Sequence, residues 1–380
     1  MYSRVPMGSE APGKALAARR ARRVAALLAV AALACSDGGL GVTGPASGGL
    51  VFVREEGGNA DLMRARLSDH SVVQITRTPE REERWPYWSS VAELVVFQTR
   101  PYGASLMTDL RLWDPTTGEE KALTRTTRRD ERWPTWSPTA RELAYVFKYA
   151  RGPSGIALYD TESQRTRVVA RAGPREAFRR PAYAPDGRRL VAERRTPTHL
   201  THLWLFEPGH SPRSLTAGPN LVDGKADFAA DGASVVFTRR LSQENPADLA
   251  RLDLATGEVT VFASLPEAHD HSGMLSPVRD ELGFVSDRDG SMDVFLVGPP
   301  EGVPRNLTRT PDLHEGAPRW SPDGERLAIL QWATEASRTD TSPGEIRPDP
   351  AMARIAVIDR SGTLLFETPG TMADWMPAWP

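Results

Sequence analysis

The sequence predicts an all-β chain: a seven-bladed β-propeller of four-stranded antiparallel blades, its ring closed by the C-terminal strand. Three observations carry this. An aromatic phrase recurs at near-constant spacing. Each recurrence is followed by the same order of turns and short apolar strands. The two ends of the array are complementary, one lacking a strand that the other can supply.

The phrase is plainest in "RWPYWSS" (84–90), "RWPTWSP" (132–138) and "APRWSPDG" (317–324). Aligned on its aromatic, the anchor falls at Trp88, Trp136, Tyr183, Phe228, Leu275, Trp320 and Trp379, in steps of 48, 47, 45, 47, 45 and 59 residues. A turn of the Ser-Pro-Asp-Gly kind follows, with proline preset for its first corner and glycine near its close. Next comes an apolar strand, as in "ELVVFQTR", "ELAYVFKY" or "RLAILQW". A third strand runs into an aspartate and a turn, as in "LRLWDPTTG", "IALYDTES", "LARLDLATG" and "IAVIDRSG". A short fourth reads "KALTR", "RSLTA", "VTVFA" or "RNLTR". A large aromatic on the first strand is expected to pack between neighbouring sheets, where burial of its area stabilises the core. Trp88, Trp136 and Trp320 are therefore assigned to the core.

Residues 50–77 hold three strands with no anchor strand before them, while the anchor in "DWMPAWP" has nothing after it. Joining the two completes a seventh blade and removes two open edges. The long last step contains "ATEASRTDTSPGEIRPDP" (333–350), polar and proline-rich, which reads as an exposed loop.

Composition fits this reading. Hydrophobic residues make up 40% and charged residues 25%, enough for a packed core. The 31 glycines and 32 prolines suit many tight turns better than long helices. The 47 basic and 49 acidic side chains leave a net charge of -2, which gives no electrostatic footprint for nucleic acid.

The N-terminal stretch is of another kind. Arg19, Arg20, Arg22 and Arg23 precede an unbroken apolar run over 24–34 that ends in Ala32-Leu33-Ala34-Cys35. The run is too short to cross a bilayer as a helix and has the length of a signal-peptide core. Cys35 is the single cysteine, so a disulfide framework is excluded. The four residues resemble the lipobox of bacterial lipoproteins, with Ala32 where leucine is usual. The resemblance implies cleavage before Cys35, acylation there and a lipid anchor. Ser36 after the cysteine, in place of aspartate, favours the outer membrane by the same resemblance. Residues 36–49, "SDGGLGVTGPASGG", read as a flexible tether; their Gly-x-Gly-x-x-Gly spacing lacks the preceding strand that a dinucleotide site needs. The expected organisation is a signal peptide over 1–34, a lipidated cysteine and tether over 35–48, and a propeller over 49–380.

The repeat resembles the TolB-like propeller family, whose units read roughly Trp-Ser-Pro-Asp-Gly, Leu-Ala-Phe and Ile-Tyr-Val-Met-Asp. "RWSPDGERLAIL" and "LGFVSDRDGSMDVFLV" carry the likeness best, and it runs through nearly all of 49–380. It implies an exported protein of the cell envelope, facing the periplasm or the surface, whose propeller binds a protein or ligand. TolB itself resembles a six-bladed propeller behind a separate N-terminal domain, and the count of seven departs from that.

Chemistry is sparse in the sequence. Gly-x-Ser-x-Gly and His-Glu-x-x-His do not occur. His269 and His271 are weak metal candidates, since His-x-His places two imidazoles on one side of a strand, but spacing supplies no third ligand. No cofactor is expected. The connections entering the first strands are richer: "EREERWP", "RRDERWP", "REAFRRP", "DLHEGAP" and "MADWMP". In a propeller such connections gather on one face. They would assemble a candidate binding rim of Glu83, Arg84, Glu131, Arg132, Arg179, Arg180, His271, Glu315 and Asp374. Mixed charge there suits partner recognition. The expected function is a membrane-anchored, monomeric binding module for envelope proteins or for partners associated with peptidoglycan or polysaccharide. The alternative is a carbohydrate-active propeller enzyme, a polysaccharide lyase or hydrolase. No catalytic residues are assigned.

Overall fold

Second strands such as Leu94–Pro101 and Glu142–Tyr149 carry an apolar run, Leu94–Phe97 and Leu143–Phe147, because each lies between two other strands and is covered on both faces by neighbouring sheets. The structure is a computed structural model that describes residues 48–104, 107–242, 245–262, 264–298, 302–334, 337–338, 347–349 and 352–376. The expected signal peptide, Cys35, residues 36–47 of the tether and Trp379 lie outside the described residues. Among the described residues no helix is long and apolar enough to cross a membrane.

The chain is all-β. Five sheets hold four antiparallel strands each, and an eight-stranded sheet consists of two such units joined by the single parallel pair Thr201–Val222. Arg81–Ser89, Leu94–Pro101, Asp109–Trp113 and Glu120–Ala122 follow one another across the first complete sheet. Fourth strands are often stubs, as at Val72–Gln74, Arg213–Ser214 and Arg305–Asn306. Stubs at the outer edge limit pairing with a second molecule. Aspartates at the end of third strands close the next turn: Asp114 Oδ1 accepts from the Thr116 and Thr117 amides, and Asp253 Oδ1 from those of Ala255 and Thr256.

The core lies in layers between consecutive sheets. Val294, Leu296 and Leu307 of one sheet meet Trp320, Leu327, Ile329 and Ile358 of the next. Trp136 and Trp320 are buried in these layers, and the partly buried Trp88 packs against another. The anchors do more than fill volume. The Trp136 indole N–H donates to the Tyr87 carbonyl at 2.9 Å, and that of Trp320 to the Met274 carbonyl at 3.0 Å. Each carbonyl belongs to the residue just before the preceding anchor. Tryptophan thus supplies a bond between first strands that phenylalanine cannot.

One anchor differs from the sequence expectation. Thr371–Met376 pairs with Gly49–Glu56, with Leu50 opposite Trp375 and Val51 opposite Asp374. Trp375, and not Trp379, fills the anchor slot here, and its indole N–H donates to the Arg319 carbonyl at 2.8 Å. The insertion at 333–350 stretches the last step, so spacing could not separate two tryptophans four residues apart.

Candidate functional site

Every first strand breaks register at one place. The ladder shifts between Arg84 and Tyr87, Arg132 and Thr135, Arg179 and Ala182, Gly224 and Asp227, His271 and Met274, and Gly316 and Arg319. Three residues before each anchor the backbone turns left-handed: Trp85 (φ 54°), Trp133 (53°), Arg180 (41°), Lys225 (52°), Ser272 (54°), Ala317 (48°) and Met372 (57°). None is glycine, although that conformation costs a side-chain-bearing residue about 1–2 kcal/mol. Such bulges re-aim side chains.

The carboxylates expected on the rim sit deeper. Glu83, Glu131 and Glu315 are fully buried between sheets. Thr78 and Thr76 donate to Glu83, Thr126 to Glu131, and Thr310 and Thr308 to Glu315. Each threonine precedes the strand it clamps and belongs to the "TRT" of the unit before. Arg81 and Arg129 add ion pairs to Glu83 and Glu131. Burial pushes all three carboxyls up to about 7, against the hydrogen bonds they accept. Their surroundings assign them to holding sheets together.

Residues just before the anchors converge from separate sheets. The Arg319 guanidinium lies 5.7 Å from the Tyr87 ring centre and 3.9 Å from Met274 Sδ, and it acts electrostatically on Asp227 and Asp374. Burial pushes the Asp374 carboxyl up to about 6, opposed by Arg319 and by the Trp88 amide, which donates to it at 2.8 Å. Asp374 is half-buried, enclosed by these side chains yet reachable by solvent.

His271 is held elsewhere. Its Nδ1 lies 2.9 Å from Ser272 Oγ, to which Lys225 Nζ donates at 3.2 Å. Burial, with Lys225, Arg240 and His269 nearby, lowers its pKa well below the ordinary histidine value, so the ring is neutral. His269 Nδ1 accepts from the Ala247 amide at 3.4 Å. Among the described residues no group of three or more His, Cys, Asp or Glu could hold a metal ion.

The remaining rim residues form a cleft. Glu82, Arg84, Trp85, Gln98, Thr99, Arg100, Thr108, Arg132 and Trp133 enclose about 190 Å³ between two consecutive sheets. Three guanidinia and one carboxylate line it, and Glu55 lies 3.9 Å from Arg84. Glu82 Oε2 alone accepts from Arg84 Nη2 at 2.9 Å and Arg100 Nε at 2.8 Å. Burial pushes that carboxyl up, but the bonds from Arg100 and Arg84 outweigh it and hold it below the usual range. Arg132 reaches Asp130 at 3.4 Å, and Asp130 also receives the Met107 and Thr108 amides. Trp85 is 40% exposed. The Arg179 and Arg180 guanidinia lie over the Trp133 ring at 5.7 and 5.8 Å, and Arg180 also donates to Glu193 at 3.2 Å.

Of the expected rim residues, Arg84 and Arg132 line this cleft, and Trp85, Trp133, Gln98 and Arg100, which the sequence did not single out, line it with them. Trp85 and Trp133 were legible in principle, since they align in the repeat with Arg180 and Lys225, charged residues unsuited to a core column.

The site and sheets define an all-β protein of the propeller class with a cationic, aromatic cleft. No family model matches the sequence, and no curated protein does. Solved structures are similar in fold. An oligogalacturonate lyase in complex with manganese is 14% identical, with a TM-score of 0.60 over 74% of this chain and 82% of that one. A structure described as TolB from Agrobacterium tumefaciens is 16% identical, with a TM-score of 0.51 over 72% of this chain and 100% of that one. A puromycin hydrolase is 17% identical, with a TM-score of 0.61 over 87% of this chain; the match spans about half, 54%, of the hydrolase. At these identities the likeness concerns fold alone.

Proposed function

We propose that this chain is a membrane-tethered binding module of the cell envelope, a seven-bladed ring that recruits a partner through the cleft at Trp85. The single observation that carries the binding reading is that cleft, where three arginines share one lining carboxylate beside an exposed tryptophan. Tryptophan and arginine are the residues on which interfaces most often depend. The ring is supported by its first strands: Thr371–Met376 touches Arg81–Ser89 at one end and Leu313–Trp320 at the other. Export and anchoring rest on the arginines, the apolar run and Cys35, and the outer membrane is the proposed site. The test is a pulldown from detergent-solubilised envelope with wild-type protein and with Arg84→Glu/Arg132→Glu. Partners retained by wild type and lost by the variant are expected. Identical partners for both would overturn the cleft as the binding site.

The enzyme reading has one observation of its own, the Ser272 hydroxyl between His271 Nδ1 and Lys225 Nζ. Labelling by a fluorophosphonate probe, abolished in Ser272→Ala, would move the assignment to a hydrolase.

A further inference from the structure

The chemistry of the cleft goes further and specifies what it binds. Gln98, on the strand Leu94–Pro101, is only 6% exposed, and its amide nitrogen lacks a hydrogen-bond partner among the described residues. It lines the cleft together with Arg84, Arg100 and Arg132. A buried donor left unpaired costs about 1–3 kcal/mol. The cleft thus offers donors, an orphan amide N–H beside three guanidinia, of which Arg84 also meets Glu55 at 3.9 Å and Arg132 meets Asp130 at 3.4 Å. The carboxylate already present is partly engaged, since Glu82 Oε2 receives both Arg84 and Arg100. A neutral sugar presents hydroxyls that must donate as well as accept, and it would find donors here in excess of acceptors. A carboxylate only accepts, and arginine forks match its plane.

Size and neighbourhood narrow the choice. A volume of about 190 Å³ admits one side-chain-sized group and excludes a folded surface. Trp85 stands at its edge, 40% exposed in a left-handed conformation that glycine would adopt without strain. An extended segment that seats one acid in the cleft would lay the next side chain against that indole.

We infer that the cleft binds an acidic peptide segment of a partner protein, with one Asp or Glu carboxylate held by Gln98, Arg100 and the Arg84–Arg132 pair. This rests on the binding-module reading and adds the class of ligand. The experiment is an immobilised array of hexapeptides, each carrying Asp or Glu at one fixed position, beside the same peptides with Asn or Gln there. The full chain in detergent is applied at two salt concentrations, with oligogalacturonate as a soluble competitor. Acid peptides are expected to bind at least ten-fold more tightly than their amide counterparts, and more weakly at high salt. Gln98→Met removes the orphan donor without breaking any bond within the protein. It should melt within a few degrees of wild type and lose most of the acid preference, and Trp85→Ala should weaken all peptides alike. Equal binding of acid and amide peptides overturns the inference, as does unchanged selectivity in Gln98→Met. Binding of oligogalacturonate in place of peptides, sensitive to the same substitutions, assigns the cleft to an acidic sugar. An array without acid preference, beside a pulldown that still depends on Arg84 and Arg132, would reject the ligand class and leave the binding module standing.

Discussion

Trp375→Ala tests the joining of the two ends. The Trp375 ring is buried among Leu50, Phe52, Ile355, Val357 and Phe366, residues that come from both ends of the described chain. Removing it leaves a cavity, for which Trp→Ala in a core costs about 3–5 kcal/mol. It also strips the Arg319 carbonyl of its donor at 2.8 Å, worth about 1 kcal/mol more. The sum, about 4–6 kcal/mol, is a large part of a typical margin of about 5–15 kcal/mol and should lower the melting point by roughly 10 °C. Trp375→Phe keeps most of the area and loses only the donor, so it should cost about 1–2 kcal/mol. Thermal unfolding by circular dichroism, with elution profiles to detect aggregation through the freed strand Gly49–Glu56, measures all of this. An alanine variant that melts with wild type would refute the joining of the ends. If Trp379→Ala cost as much as Trp375→Ala, the slot assignment read from the register would fall instead.

Three further outcomes are expected. Among the described residues Glu315 accepts from Thr308, Thr310 and Gln331 and has no arginine partner, so its raised pKa gives a clean pH signature. A carboxyl held at about 7 in the fold and at its ordinary value of 4.5 when unfolded favours folding fully below pH 4.5 and loses that contribution as pH rises to 7, about 3 kcal/mol in all. Glu315→Gln, neutral throughout, should gain stability over wild type across that window and hold the difference at higher pH; parallel stability curves would refute the assignment. Gly324→Ala should lose about 1–2 kcal/mol by chemical denaturation, because φ is +69° and the new Cβ would come within 2.5 Å of Val278 Cγ2. Cys35→Ser should move the protein from the membrane to the soluble fraction of cells, and a variant that stays membrane-bound would end the lipid-anchor proposal.

The fold was legible wherever one physical demand repeats. Trp136 and Trp320 recur because the gap between sheets must be filled and bridged. Asp114 and Asp253 recur because a third strand must turn. The carboxylates were legible as a column, yet their role was misjudged. Glu83 and Glu315 look like rim charges in the sequence, and only the preceding sheet's threonines, close in sequence but across a sheet boundary, show why they are buried. Gln98 could not be found from sequence at all. It opens the polar half of a second strand, Gln98-Thr99-Arg100, and nothing in that run marks which residue is buried without a partner. The last anchor was displaced because spacing is a weak ruler across an insertion, whereas backbone register is a strong one.

What distinguishes the site is a break in the repeat. Five residues before the anchor, Glu83, Glu131, Asp223, Asp270 and Glu315 are all buried acids with bonded partners. At the anchor itself, large apolar side chains recur. Those columns answer to packing, and packing makes the same demand between every pair of sheets. At the bulge the two residues that follow the acid are released from that demand, and there the column diverges. Arg84 and Trp85, Arg132 and Trp133, and Arg179 and Arg180 fall on three consecutive sheets; Gly224 and Lys225, then His271 and Ser272, follow on the next two, while Gly316 and Ala317, and Thr371 and Met372, occupy the same slots elsewhere. If the bulge served the fold alone, small residues would suffice at all of these slots and would relieve the left-handed strain. The paired arginines and indoles on these consecutive sheets therefore answer to something outside the fold, and the cleft lined by Gln98 lies among them.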